Sequence, residues 1–90
     1  VKMLYDDDVK NRLKRIEGQV RGVLRMMEKS QGCKDVVSQL SAVRSAVDRA
    51  ISYIVTHHLE ACLREELRKG DKANTKDLLK EARNLMNRSR

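Results

Sequence analysis

Ninety residues with twenty Lys or Arg, thirteen Asp or Glu and a formal charge of +7 describe one domain with a polyanionic partner, nucleic acid first and an anionic membrane surface second. With 40% hydrophobic residues, no Trp, no Phe and two Tyr, a single copy has a thin core, so association is expected. The absence of proline, with Ala, Leu, Glu, Lys and Arg abundant, argues for an all-α chain.

No apolar run reaches the roughly 18 residues of a membrane span, and no signal-peptide pattern opens the sequence. A cytoplasmic protein outside the membrane is expected. In that compartment two cysteines point to metal binding or redox chemistry before a structural disulfide.

In chain order, residues 1–5 read as a short arm, and Asp6, Asp7 and Asp8 supply an N-cap and favourable negative charge for a first helix over about 6–29. Its apolar stripe is Val9, Leu13, Ile16, Val20, Val23, Leu24 and Met27. Gly18 and Gly22, one turn apart, suit close approach of another backbone. Ser30 and Gly32 mark a turn.

A second helix over about 34–68 carries Val36, Leu40, Val43, Val47, Ala50, Ile51, Ile54, His58 and Cys62 on one face, widened by Val37, Val55 and Leu59. So broad a stripe calls for two neighbours, the chain's own first helix and a second subunit, as in a helical bundle. Arg68, Lys69 and Gly70 form a basic last turn and a glycine stop. Asn74 or Thr75 caps a third helix over about 75–88, with Leu78, Leu79, Ala82, Leu85 and Met86 on its apolar face. The tail Asn87 to Arg90 is polar and reads as fraying. One domain spans 1–90.

The chemistry centres on Cys33, His58 and Cys62. In a single helix, a rise of about 1.5 Å per residue separates Cys33 from Cys62 by on the order of 40 Å. A second copy packed antiparallel would bring Cys33 of one subunit to His58 and Cys62 of the other. His58 and Cys62 are one turn apart on one face, whereas His57 points away. Two thiolates and an imidazole form a soft three-donor set suited to Cu(I), while zinc normally takes a fourth ligand.

Three other readings stay open on the residues alone. The cysteines could be small buried hydrophobes with His58 satisfied by a carbonyl. Alternatively, they could form an intersubunit disulfide or polysulfide. A nucleophile and base dyad is the weakest, because no oxyanion arrangement or phosphate loop accompanies it; no enzyme is expected.

On the first helix Lys10, Lys14, Arg21 and Arg25 share one side of the wheel, with Arg12 and Arg15 elsewhere and Glu17 and Glu28 interrupting. An ordinary solvated surface is the bland alternative. The charge, repeated in an oligomer, favours DNA phosphate binding. No helix-turn-helix pattern is present, so backbone contacts and DNA shape would carry recognition.

The string Asn11-Arg12-Leu13-Lys14-Arg15-Ile16-Glu17-Gly18-Gln19-Val20-Arg21-Gly22, then Cys33, Gln39-Leu40-Ser41-Ala42-Val43 and His58-Leu59-Glu60-Ala61-Cys62, resembles the copper-sensitive operon repressor (CsoR) family over nearly the whole chain. The resemblance implies an antiparallel four-helix-bundle homodimer that pairs into a homotetramer, with Cu(I) held by Cys33 of one subunit and His58 and Cys62 of the other. It implies that the apo form binds double-stranded operator DNA and that Cu(I) releases it. Family DNA-binding positions match Arg12 and Arg49, which join Lys14, Arg15 and Arg21 as candidate DNA contacts.

Copper-sensing relatives commonly carry a Tyr before the first cysteine and a Glu in the third helix; here Gly32 and Leu78 stand there, with Asp77 and Glu81 as neighbouring acids. The family's persulfide sensors keep both cysteines and lack the histidine, which makes a thiol-based persulfide or redox repressor using Cys33 and Cys62 the alternative. Nickel and cobalt sensors use an amino-terminal histidine absent from Val1 to Tyr5, and formaldehyde sensors lack the second cysteine.

Overall fold

The computed structural model describes residues 5–70 and 74–88. Val1 to Leu4 of the expected arm, residues 71–73 of the connection to the third helix, and the tail residues Ser89 and Arg90 lie outside the described residues. Three helices follow in order, α1 (Asp7–Glu28), α2 (Cys33–Arg68) and α3 (Thr75–Arg88), and no strand occurs among the described residues.

Each boundary has a local cause. Asp6, in extended backbone, accepts from the Val9 amide at 3.0 Å, and Asp7 and Asp8 complement the positive end of the helix dipole. At the far end of α1 the Lys29 amide bonds the Arg25 carbonyl and the Gln31 amide the Met26 carbonyl, with Ser30 in the left-handed region at φ 55°. The Gly32 carbonyl then accepts the Asp35 and Val36 amides and opens α2. Gly70 takes φ 60° just past α2, where a side chain would be strained.

Asn74 caps α3 reciprocally. Its side-chain oxygen accepts the Asp77 amide at 3.3 Å, and its side-chain nitrogen donates to Asp77 Oδ2 at 2.8 Å. The Asn74 amide in turn donates to Glu66 Oε2 at 3.0 Å, and Lys69 Nζ donates to the other Glu66 oxygen at 3.0 Å. These two bonds hold the Glu66 carboxyl below its ordinary value of 4.5, the Lys69 bond contributing most.

The chain forms two compact units, one of residues Asp6–Ala50 and one containing Ile51–Arg90. In the first, Val9, Ile16, Val23 and Ala50 are buried; the three on α1 recur every seven residues, two turns of one face. In the second, Cys62 is buried, and Ile54, Val55, His58 and Leu59 of α2 and Leu78, Ala82, Leu85 and Met86 of α3 are half-buried.

Much of the apolar stripe stays outside. Leu13, Val20, Leu24 and Met27 of α1 and Val37, Leu40 and Val47 of α2 are exposed, Leu24, Met27 and Val37 by more than half. A stripe of this width exceeds what one neighbouring helix covers. Gly18 and Gly22 are half-buried, and a Cβ built there meets the Arg21 guanidinium at 3.8 Å and the Arg25 guanidinium at 3.9 Å. The close backbone approach expected at these glycines does not occur within the described residues.

Candidate metal centre

His58 and Cys62, four residues apart on α2, project from one face and meet. Cys62 Sγ lies 3.5 Å from His58 Nε2 and 3.9 Å from Nδ1. Cys62 is buried, and the His58 side chain is 24% exposed. His58 Nε2 lies 3.0 Å from Glu81 Oε1 on α3. A carboxylate can only accept, so this bond places the ring proton on Nε2 and leaves the Nδ1 lone pair available in the neutral imidazole.

The two donors fit a soft metal ion. Bonds of about 2.3 Å to sulfur and about 2.0 Å to imidazole nitrogen sum to about 4.3 Å. The Sγ to Nδ1 separation of 3.9 Å is shorter than that sum, so Cys62 and His58 are spaced as residues that would hold such an ion together. Among the described residues no group of three His, Cys, Asp or Glu side chains is gathered for a metal within one chain. Cys33 is exposed, at the first position of α2, and His58 and Cys62 stand in that helix's second half.

His57 has a separate environment. Its ring packs against Tyr53 at a tilt of 37° with centroids 4.2 Å apart, and Nδ1 is 3.9 Å from Glu60. It takes no part in the His58 and Cys62 pair, as the helical step requires.

Glu81, which the sequence offers only as an acid neighbouring the family's glutamate position, is the residue that meets His58. At the position of the family's third-helix glutamate stands Leu78, which is half-buried. Glu81 lies three residues on, one turn along the same face of α3, and reaches His58 from there. The i, i+3 spacing is the signal for it, readable only with α3 in register against α2.

The candidate DNA-contacting residues divide. Arg12 and Arg15 of α1 and Arg49 of α2 line one solvent-open cavity of about 140 Å³ with Ile16, Gln19 and Ala46. Lys14 and Arg21 do not line it; Arg21 is exposed and paired with Glu17 at 3.4 Å. A wheel of α1 alone separates Arg12 and Arg15 from the other basic residues and says nothing of Arg49, because the grouping arises between two helices.

The described residues form three helices, with a histidine–thiol donor pair on the long second helix and an arginine-lined cavity where that helix meets the first. Residues 5–88 match the model of the metal-sensitive transcriptional repressor family, and the chain belongs to that family, the CsoR family. It is 49% identical over 65 residues to the uncharacterised protein YrkD of Bacillus subtilis, a match covering 72% of this chain and all of YrkD. It is 40% identical over 65 residues to the copper-sensing transcriptional repressor CsoR of Bacillus subtilis, covering 72% of this chain and 64% of that protein. The copper-sensing repressor RicR of Mycobacterium tuberculosis is 41% identical over 64 residues, covering 71% of this chain and 67% of RicR. The solved structure of the nickel-responsive transcriptional regulator InrS is similar across 100% of this chain and 98% of its own, with a TM-score of 0.78 and 31% identity.

Proposed function

We propose that this chain is a non-enzymatic, cytoplasmic, Cu(I)-responsive transcriptional repressor that binds operator DNA in the apo form and lets go when Cu(I) binds. Cys33 of one subunit and His58 and Cys62 of another hold the ion, in an antiparallel homodimer that pairs into a homotetramer. The observation that carries the reading is the hydrogen bond between Glu81 and His58, 3.0 Å long. It orients the ring, fixes the proton on Nε2 and leaves Nδ1 beside Cys62 as a metal donor, the arrangement that metal-ligating histidines ordinarily show.

The donor set argues for copper over nickel. Two thiolates and one imidazole satisfy three-coordinate Cu(I), whereas Ni(II) prefers a tetragonal site with more nitrogen or oxygen donors. The names of the relatives CsoR and RicR point the same way; that of InrS points to nickel, so both metals belong in the test. Exposed Leu13, Leu24, Met27, Val37 and Leu40 support a second copy as the cover for this stripe.

Coupling to DNA follows from Glu81. It ties a candidate ligand on α2 to α3, so ion uptake at His58 biases α3 as well. A metal that binds one arrangement of these helices better than the other shifts their populations, and linkage makes that shift reciprocal with DNA affinity. The test is operator binding by fluorescence anisotropy with DNA from upstream of the gene. Apo protein should bind, and Cu(I) should weaken binding in the wild type and not in His58→Ala; indifference of the wild type to Cu(I) would refute the reading.

The free thiols favour one second reading. Both cysteines are unbridged and Cys33 is exposed. A low-molecular-weight persulfide could transfer its outer sulfur to one thiolate, leaving its own thiol. Attack by the other subunit's cysteine on the protein persulfide would then form a disulfide and release hydrosulfide. This switch needs no histidine, so release of DNA by His58→Ala on persulfide treatment separates it from copper sensing.

A further inference from the structure

Hydrogen bonds fasten α3 to α2 on both sides of Cys62. At one end His58 Nε2 meets Glu81 Oε1, and at the other Glu66 Oε2 accepts the amide of Asn74, the cap of α3, each at 3.0 Å. His58, Cys62 and Glu66 stand at i, i+4 and i+8 on α2 and share one face. Glu66 is half-buried where Leu63, Arg64, Glu65, Leu67 and Arg68 are exposed, as a residue on a covered face should be. On α3 the matching face runs through Asn74, Leu78, Glu81 and Leu85, and both leucines are half-buried.

The two ties share one spacing. At about 1.5 Å per residue, His58 to Glu66 rises about 12 Å and Asn74 to Glu81 about 10 Å. On helices running in opposite directions, both bonds therefore close in a single register. Sliding α3 by one turn, about 5.4 Å, would break both. Glu66 is held against following such a slip, because Lys69 Nζ binds its other oxygen at 3.0 Å. Asn74 is itself locked to Asp77 by the reciprocal cap.

We infer that Glu66 is a positioning residue for the candidate metal centre: by anchoring the cap of α3 it sets the register in which Glu81 reaches His58, and so fixes the proton on Nε2 and leaves Nδ1 open beside Cys62. Its carboxylate bonds neither candidate ligand and acts through Glu81. Its effect on metal affinity rests on the proposed copper site; its hold on the His58 tautomer does not.

The test uses the full chain with nitrogen-15 in its histidines. Correlation spectra of the reduced, metal-free protein, recorded above the ordinary imidazole range, identify the tautomer of His58, with His58→Ala for assignment. Glu66→Ala is compared with Glu81→Ala and with Glu66→Gln, which keeps an oxygen to accept the Asn74 amide. Circular dichroism and sedimentation verify helix content and assembly, and Glu66→Asp, which draws the carboxylate back by one methylene, replaces Glu66→Ala if helix is lost. Wild type and Glu66→Gln should show the ring protonated on Nε2, and Glu66→Ala the mixed tautomers of Glu81→Ala. In Cu(I) competition Glu66→Ala should lose about tenfold in affinity, and the double variant Glu66→Ala/Glu81→Ala should be no weaker than Glu81→Ala alone, because one residue acts through the other. A wild-type tautomer in Glu66→Ala, or Cu(I) losses that add in the double variant, would overturn the positioning role. A wild type that takes up no Cu(I) would refute the copper site and leave the tautomer comparison to decide the role of Glu66.

Discussion

His58 Nε2 and Glu81 Oε1 lie 3.0 Å apart, which joins the long helix α2 to α3 at the one histidine that also faces a cysteine. Removing the carboxylate frees the ring to rotate and to exchange its proton between nitrogens. Glu81→Ala should still bind Cu(I) at the wild-type stoichiometry, with affinity lower by about 10–100-fold, the usual cost of losing such a partner. Competition with a chelator of known Cu(I) affinity measures it. An unchanged affinity would mean that Glu81 is an ordinary surface contact.

Arg12 belongs to the arginine-lined cavity and not to the metal centre. Arg12→Ala should therefore take up Cu(I) like the wild type and lose operator affinity. Each phosphate contact removed lowers the slope of log affinity against log salt by about one. Anisotropy titrations over a salt series would report both quantities, and a full-strength complex with an unaltered slope would remove Arg12 from the DNA interface.

The helices and their caps are legible in the residues alone. The acidic run at Asp6, the Ser30 and Gly32 turn, Gly70 and Asn74 each impose a local backbone preference that no distant contact needs to supply. The His58 and Cys62 pair is equally legible, since four residues on a helix fix a shared face. Relations between helices are not. Glu81 meets His58, and Arg49 joins Arg12 and Arg15, only through the register of one helix on another, which periodicity does not encode. Nor does periodicity distinguish an apolar position covered within the chain, such as Ile16, from one left open, such as Leu24.

Gly18 and Gly22 test whether anything covers the outer face of α1. Added methyl groups would meet only the Arg21 and Arg25 side chains, at 3.8 and 3.9 Å, both ordinary contacts. Each Gly→Ala change should then stabilise the helix by about 0.8–1.0 kcal/mol and raise the thermal unfolding midpoint by several degrees. A lower midpoint with a weakened assembly would instead place a partner's backbone against these glycines.

Glu66 sets a pH dependence at the junction of α2 and α3. Its folded-state pKa is lowered, chiefly by Lys69 and then by the Asn74 amide. The sign follows by linkage: its stabilisation is fully present above the unfolded carboxylate value of 4.5, and is lost as pH falls through the lower folded value. Glu66→Gln should be less stable than the wild type at neutral pH, and the difference should close on acidification below that range. Urea unfolding followed by circular dichroism at several pH values would show it; a gap independent of pH would assign the effect to side-chain packing.

The most direct test of copper sensing is a titration of the reduced protein with Cu(I) against a competing chelator, with wild type and His58→Ala run side by side and Ni(II) as the parallel arm. Tight uptake of one Cu(I) per subunit is expected of the wild type, with a marked loss of affinity in His58→Ala and weaker Ni(II) binding. Uptake that is weak or indifferent to His58 would contradict a copper site there and move the thiol-based switch at Cys33 and Cys62 to first place.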